Sequence, residues 1–350
     1  MRRFDYSFLK EQHVPPDLMS RVARISRYSI RAEARKKEFP EVFAGLESIS
    51  RLQSVKGSNA IEGILTTDRR IKEIVSKKSA PMNHDEEEIA GYRDALDIIH
   101  NNHDSMRIDE TTILDLHRIM LSHSSEEGGT YKKEDNVIMG TDASGRRFIH
   151  YEPVPAAETE DSMEQILLAY ADAHQDSMID DLLLIPCFIL DFLCIHPFLD
   201  GNGRISRLLS LLLMYRDDID VGKYISFEEM INKNKSAYYG ALTESSKGWH
   251  TNESDYLPFI EHFMGTLFLC YRELDRRFTI VGNKKFTKKN RIEAIVMNSI
   301  IPISKKDILT LLPDVSETTV EAEISRLKSE GRIEMVGQKK GARYLRTRTE

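Results

Sequence analysis

The sequence is poor in cysteine. Cys187, Cys194 and Cys270 are too few for a disulfide framework, and none stands in a CxxC pair or a Cys/His cluster with zinc-ligand spacing. They read as buried thiols, which makes a reducing, cytoplasmic location the expectation. Long uninterrupted apolar runs are also missing: the most apolar stretch, residues 182–199, is broken by Pro186, Asp191, His196 and Pro197, so no membrane span is predicted. The opening MRRFDYSFLKEQ has positive charge but no apolar h-region, and no secretory signal is read there. With 18 Gly and 11 Pro in 350 residues, collagenous, low-complexity and disordered classes are excluded. A net charge of -7 argues against a nucleic-acid coat. What is present is 41% hydrophobic and 30% charged residues in a chain long enough for two or three folding units.

The periodicity is mainly helical. Residues 17–35 and 47–52 are rich in helix formers, and 85–101 repeats apolar residues at Ile89, Tyr92, Leu96 and Ile99. Glu86, Glu87 and Glu88 suit a helix N-terminus and are expected to form a solvated face. Between Tyr131 and Pro155 the pattern changes to NVIMG, TDASG and RRFIHYEPVP, which predicts a β-hairpin. Helical stripes return at 163–173, 182–195, 203–215 and 256–278. The polar, basic VGNKKFTKKN (281–290) reads as a linker. Beyond it, 291–299, 304–312 and 316–330 read as three helices, and RIEMVGQKKGARYLR as two strands around a basic turn. That order predicts a winged helix-turn-helix.

The densest chemistry lies in HPFLDGNGRISR, residues 196–207. An apolar helix ends at His196, a loop carries Asp200, Gly201, Asn202 and Gly203, and a second apolar helix begins with Arg204 and Arg207. Two glycines admit a ligand close to the backbone, and the free amides of the following helix N-terminus point toward an anion. Arg204 and Arg207, three residues apart, can face the same anion. Asp200 offers one hard oxygen to Mg²⁺, which commonly takes one or two carboxylates plus phosphates. His196, at the lip, can take a proton from an incoming hydroxyl. A His-Pro pair after a buried helix is usually structural and a GNG usually a turn; it is their concentration within twelve residues that points to chemistry.

That stretch resembles the Fic (filamentation induced by cAMP) signature HPFx[D/E]GNGRxxR at every specified position. The resemblance implies a helical Fic core with a β-hairpin flap; with the C-terminal pattern described above, the expected fold is mainly α, that core followed by a small winged-helix (α+β) domain. It implies a protein adenylyltransferase that binds ATP with Mg²⁺ and moves AMP to a hydroxyl of a target protein. Carried over by position, His196 resembles the general base and Asp200 the Mg²⁺ ligand. Gly201, Asn202 and Gly203 resemble the nest on the α- and β-phosphates, with Ile205 and Ser206 in the same nucleotide-binding segment. Arg204 resembles the β-phosphate contact and Arg207 the γ-phosphate contact, while Phe198 is read as an apolar anchor under the loop. The hairpin around 136–151, with Val137, Ile138, Phe148 and Ile149, looks like the family's flap, which pairs with an extended segment of the target. NKSAYYGALTESS resembles the segment that closes over the adenine, placing Tyr238 or Tyr239 near the base or ribose; the alternative for Tyr239 is an aromatic core residue. The resemblance covers about residues 50–275.

A second stretch, GSNAIEG at 57–63, places Ser58 and Glu62 on one face of a helix, read as a short one bounded by Gly57 and Gly63. A capping box would need Glu or Gln at position 61, where Ile61 stands. Alone, Glu62 would read as a surface glutamate. Beside the Fic motif, SNAIEG resembles the inhibitory motif [S/T]xxxE[G/N] of class II Fic proteins, which implies that Glu62 pairs with Arg207 and denies it to the γ-phosphate.

The reading divides the chain into a helical region at 1–110 carrying the inhibitory motif at 58–63, a catalytic core at 111–280, a linker at 281–290 and a winged helix at 291–350. Residues 283–350 hold 15 Lys and Arg against 9 Asp and Glu, a local +6 that leaves -13 for the remainder. Lys339, Lys340, Arg343, Arg346 and Arg348 cluster at the wing and tail, where phosphate contact is plausible. Glu317, Glu321 and Glu323 at the start of the presumed recognition helix disfavour DNA, so protein recognition or homodimerisation is the favoured role. Expected partners are a protein with a Ser, Thr or Tyr hydroxyl and the chain itself by automodification, with no membrane. Two alternatives stay open: a winged-helix DNA-binding regulator whose core senses a nucleotide, and a Fic enzyme that removes AMP or transfers another nucleotide.

Overall fold

The computed structural model describes residues 2–11, 13–141, 145–281, 287–299, 302–337 and 342–347. The chain opens with α1 (Pro16–Glu38), α2 (Pro40–Ile61), α3 (Asp68–Val75), α4 (His84–Asn102) and α5 (Glu110–Met120). The expected hairpin follows as β1 (Ile138–Thr141) and β2 (Arg147–Tyr151). Next come α6 (Ala156–His174), α7 (Asp181–Ile195), α8 (Asn202–Arg216), α9 (Phe227–Lys233), α10 (Lys235–Ser246) and α11 (Leu257–Val281). The C-terminal part has α12 (Lys288–Asn298), α13 (Lys305–Leu311), α14 (Glu317–Ser329), β3 (Ile333–Val336) and β4 (Arg343–Arg346). The described residues form a mainly α fold whose only sheets are two antiparallel pairs, β1-β2 and β3-β4.

Local chemistry sets many of these boundaries. Prolines occupy the first positions of α1 and α2, where the missing N–H costs nothing. Side chains of Thr67, Asn83, Asp109 and Asp180 accept N–H groups at the starts of α3, α4, α5 and α7. Ser304 and Asp307 close a capping box on α13.

The centre of the molecule is α7, buried continuously from Leu184 to Ile195. It packs on α6, α8 and α11. Each fully buried Leu, Ile or Phe there contributes about 1.5–3 kcal/mol, so the helices on either side of the 196–201 loop are anchored in the apolar core. Asp191 lies wholly buried within α7. It accepts hydrogen bonds from Tyr6 Oη, Tyr256 Oη and Trp249 Nε1 at 2.7–2.8 Å and faces Arg2, so the N-terminal segment is tied to the same helix. All three cysteines are buried, as expected. Among the described residues no helix is long and apolar enough to cross a membrane.

Three expectations change. Glu86 and Glu88 are not part of a solvated face: both are buried. Glu86 takes Arg70 Nη2 at 2.6 Å and the Met82 N–H at 2.9 Å, and Arg70 first among its partners brings its carboxyl down to about 2. The linker is shorter than read, because α12 begins at Lys288 with Thr287 as its cap; residues 282–286 lie outside the described residues. Gly57 does not start a helix. It lies inside the 22-residue α2, where a Cβ would fall 2.9 Å from the Glu229 backbone, so its smallness lets α2 and α9 touch.

Gly91 marks the tightest crossing. A Cβ there would lie 1.7 Å from the Met120 carbonyl oxygen, so α4 and α5 meet backbone to backbone. Gly91→Ala is expected to destabilise the fold by about 3 kcal/mol or more. Gly240, exposed on α10 with nothing within 4 Å of its missing Cβ, provides the contrast: Gly240→Ala should stabilise by about 0.4–1 kcal/mol. Chemical denaturation of the two variants measures both.

Candidate functional site

His196 is the C-cap of α7 and adopts the left-handed conformation, φ 52°, ψ 61°. This sharp turn throws the chain out of the buried helix and into the loop. Its Nδ1 lies 3.3 Å from the Leu193 carbonyl, which can only accept, so Nδ1 carries the proton and Nε2 is left as the proton acceptor. Burial pushes the imidazole pKa down to about 4, against small opposing effects from the Leu193 carbonyl, Glu62 and Asp200. His196 is therefore neutral at physiological pH, as a base must be.

The loop is locked by amide clamps. The Phe198 N–H donates to Asn202 Oδ1 at 2.9 Å, and Asn202 Nδ2 returns a bond to the Phe198 carbonyl at 2.7 Å. Asn136 Nδ2 donates to the same carbonyl at 3.0 Å. Lys132 donates its N–H to Pro197 O at 2.9 Å and its Nζ to Ile195 O at 3.2 Å. Burial brings the Lys132 ammonium down to about 8. Phe198, fully buried, stacks on His117 with ring centroids 3.7 Å apart. His117 Nδ1 accepts the Gly129 N–H at 3.0 Å, so its Nε2 carries the hydrogen and donates to the Asp200 carbonyl at 3.2 Å. Burial pushes this imidazole down to about 4 as well.

Gly201, at φ 81°, is the N-cap of α8 and supplies no side chain to cap it. The first N–H groups of α8 thus lack the partner a Ser or Asp would provide, and the helix dipole adds positive potential there. Gly201 also needs to be small, since a Cβ would meet Met120 Cε at 2.4 Å. Arg204, almost completely buried, donates Nη2 to Asp200 Oδ2 at 2.5 Å and places Nη1 3.2 Å from Glu88 Oε1. The Asp200 carboxylate is itself 57% exposed at the rim.

Arg207 is buried in α8. Its Nε donates to Ser58 Oγ at 2.8 Å, and its Nη2 donates to the Ser58 carbonyl at 3.1 Å and to Glu62 Oε1 at 2.6 Å. Burial opposes the charge, but the Glu62 carboxylate together with the neighbouring Tyr238 and Tyr92 outweighs it and holds the guanidinium above its ordinary pKa. The same Oε1 lies 2.3 Å from where a Cβ on Gly203 would stand. A carboxylate of the chain therefore lies against Gly203, in the first turn of α8, while it engages Arg207. Glu62 is aimed there by the end of α2: Gly63, at φ 85°, bonds Ala60 O at 3.2 Å and Ile64 bonds Asn59 O at 3.0 Å, the Schellman arrangement. Lys235 Nζ donates to the Ile61 carbonyl at the same end.

The remaining predicted site residues divide. The Tyr238 hydroxyl lies beside Arg207 and Ser206, in a buried position, and Tyr239 packs edge-on against it while remaining 39% exposed. Ile205 is buried in the core, and its N–H is used by Gly201 O at 2.9 Å. Ser206 Oγ is used by Gly203 O at 2.8 Å. The Asn202 side chain serves the loop clamp, so only its backbone N–H is available to an anion. In the hairpin, Val137, Phe148 and Ile149 are exposed and Ile138 is half-buried; the turn residues 142–144 lie outside the described residues. Sequence reasoning missed Glu88, His117, Lys132 and Asn136, which bear on the loop from separate segments with no motif of their own.

The two imidazoles give a direct check. The ring resonances of His196 and His117 should remain those of neutral histidine from about pH 8 down to about pH 5.5, with His117 as the Nε2–H tautomer. A titration near 6.5 in the NMR spectrum of either would contradict the buried geometry.

Residues 107–214 match the model of the Fic/DOC family. The chain is 26% identical over 219 residues to the protein adenylyltransferase Fic of Nematostella vectensis, an alignment covering 59% of this chain and 45% of that relative. It therefore spans less than half the length of that relative. Among solved structures, a Fic family protein from Desulfovibrio desulfuricans G20 superposes with TM-score 0.63 at 20% identity, covering 97% of this chain and 98% of that one. A Fic domain containing signaling protein from Bacteroides thetaiotaomicron VPI-5482 superposes with TM-score 0.60 at 21% identity over 71% and 94% of the two chains. The match takes in the clamped loop, the whole of α7 and most of α8: the chain carries a Fic/DOC family domain.

Proposed function

We propose that this chain is a protein adenylyltransferase that moves AMP from ATP to a hydroxyl side chain and is restrained by its own Glu62. The observation that carries the reading is the juxtaposition of a neutral base, His196, with an uncapped helix N-terminus flanked by Arg204 and Arg207. Phosphoryl-type transfer asks the protein mainly for positioning and charge neutralisation, and this loop supplies both.

In this reading His196 Nε2 takes the proton of a target Ser, Thr or Tyr hydroxyl as its oxygen bonds the α-phosphorus; the bond from that phosphorus to the β-phosphate oxygen breaks and pyrophosphate leaves. The backbone N–H groups at Gly201, Asn202 and Gly203 hold the α- and β-phosphates. Arg204 faces the β-phosphate and Arg207 the γ-phosphate. Asp200, open at the rim, fits a Mg²⁺ ligand because that ion takes one or two carboxylates beside substrate phosphates, and it supplies further charge neutralisation. The adenine lies toward Tyr238 and Tyr239. The exposed apolar residues of β1 and β2 form a docking edge for the target or for a second copy in automodification.

Glu62 is the brake. A γ-phosphate and the Glu62 carboxylate compete for one guanidinium and one helix end, so ATP cannot take its productive position while the pair persists. The class II assignment rests on this pair.

Residues 291–350 fit a winged helix, with α12, α13 and α14 followed by β3 and β4, and Ile303 bridging Tyr344 at the sheet edge. Two of the three glutamates expected to disfavour DNA are neutralised within the fold, Glu321 by Lys305 and Glu323 by burial against Arg326, which leaves Glu317 to carry that preference for protein contact. Arg343 and Arg346 lie on β4, whereas Lys339, Lys340 and Arg348 lie outside the described residues.

Incubation with α-labelled ATP, GTP and UTP tests the proposal. Glu62→Gly should raise ATP-dependent labelling of protein about 5–150-fold, the range of a coupling of 1–3 kcal/mol, and His196→Ala in that background should abolish it. Equal labelling of wild type and Glu62→Gly would remove the brake. A DNA shift with no labelling in any variant would favour the nucleotide-sensing regulator instead.

A further inference from the structure

At the ends of α7 and α8 remote in sequence from the loop, three side chains converge. His174 ends α6, Asp181 begins α7 and Asp217 follows α8. One ligand atom from each lies within 4.8 Å of the others. His174 Nδ1 is 2.8 Å from Asp181 Oδ1. Asp217 Oδ2 is wholly buried and has no hydrogen-bond partner.

Asp217 is otherwise hard to account for. A carboxylate at a helix C-terminus faces the negative end of the dipole, and a second carboxylate, Asp181, stands beside it. Burial first, and Asp181 next, push its carboxyl up to about 6. The adjacent cation does not serve it: Arg216 donates Nη1 to the carbonyls of Met106 at 2.7 Å and Asp104 at 3.3 Å. A buried acceptor with no donor costs about 1–3 kcal/mol, more when charged, and a bound cation removes that cost.

We propose that His174, Asp181 and Asp217 form a divalent-metal site, separate from the nucleotide loop, that binds a Zn²⁺-type borderline cation. One imidazole and two carboxylates suit such a cation, whose charge they balance, and three protein ligands leave a position for water. The donor atoms are spread more widely than a closed tetrahedral set, so side-chain rotation draws them in. His174 and Asp181 are partly exposed, and a cavity of about 400 Å³ lined by Arg107, Tyr170, Gln175 and Asp217 opens onto the group. Binding there staples the ends of three helices, two of which carry the loop between their other ends.

The test is calorimetric titration of the full chain with Zn²⁺, and with Co²⁺ as a visible-absorption probe, without nucleotide. One equivalent should bind, with a Co²⁺ d–d band and a Zn²⁺-dependent rise in Tm. His174→Ala and Asp217→Asn should each weaken binding by more than the roughly 10–100-fold that loss of a supporting residue costs. His174 is at an exposed helix end, so its variant reports binding with the fold intact. Asp200→Ala should leave the titration unchanged. Absence of binding, binding indifferent to both ligand variants, or binding lost with Asp200→Ala would each overturn the site.

Discussion

The contact between Glu62 and Arg207 is the constraint around which the site is arranged. Arg207 is almost completely buried and Glu62 only partly so, at 30% exposure. An isolated buried guanidinium is costly, and removing one partner of such a pair usually destabilises a protein severely. Here the cost is distributed: Ser58 satisfies Arg207 twice, through Oγ and through its backbone carbonyl. Arg207 therefore has acceptors besides the carboxylate, and Glu62 is the more exposed member of the pair.

Behind that pair the structure is stiff. Tyr92 lies between Ser58 and Glu228 and donates to Glu228 Oε1 at 3.0 Å. Glu228 is fully buried and accepts from Ser54 Oγ at 2.8 Å and Ser226 Oγ at 3.1 Å, with burial raising its carboxyl pKa. Three hydroxyls satisfy that carboxyl without a cation, so α2, α4 and α9 are joined by a polar network with little freedom to repack. The same α2 packs against α13 farther back, where Gly45 leaves room for Thr310. One helix thus presents Glu62 to Arg207 and Gly203 at its end and meets the C-terminal segment along its length.

Much of this was readable from local pattern. The periodicity located α4, α7, α8 and α11, and the change of period at 131–155 located β1 and β2, because these signals arise within single elements. The segment 196–207 and SNAIEG stand out in the sequence because their residues are consecutive. Glu86 and Glu88 were misread since a run of three glutamates at a helix start has the same appearance whether solvated or paired; the partners, Arg70 and Arg204, come from other segments. His117, Lys132 and Asn136 were invisible for the same reason. Gly57 has the look of a boundary in the sequence but is a contact, and only the approach of Glu229 tells the two apart. The triad at His174, Asp181 and Asp217 is likewise scattered over 44 residues and is assembled only by the packing of α6, α7 and α8.

The supporting residues explain why the loop needs more than its motif. A non-glycine residue in the left-handed region costs roughly 1–2 kcal/mol, and His196 bears that cost, where glycine would relax the turn but remove the imidazole. The conformation persists only if its surroundings over-determine it. They do: Pro197 O is held by the Lys132 N–H, Phe198 is bonded at both its N–H and its carbonyl, and its ring is fixed by the stack on His117. Because His117 also holds the Asp200 carbonyl, the beginning and the end of the loop rest on the same imidazole. The position of His196 is set by the apolar Phe198 and by the amide, carbonyl and imidazole partners of the loop, while the charged side chains nearby pair among themselves, Arg204 with Asp200 and Arg207 with Glu62.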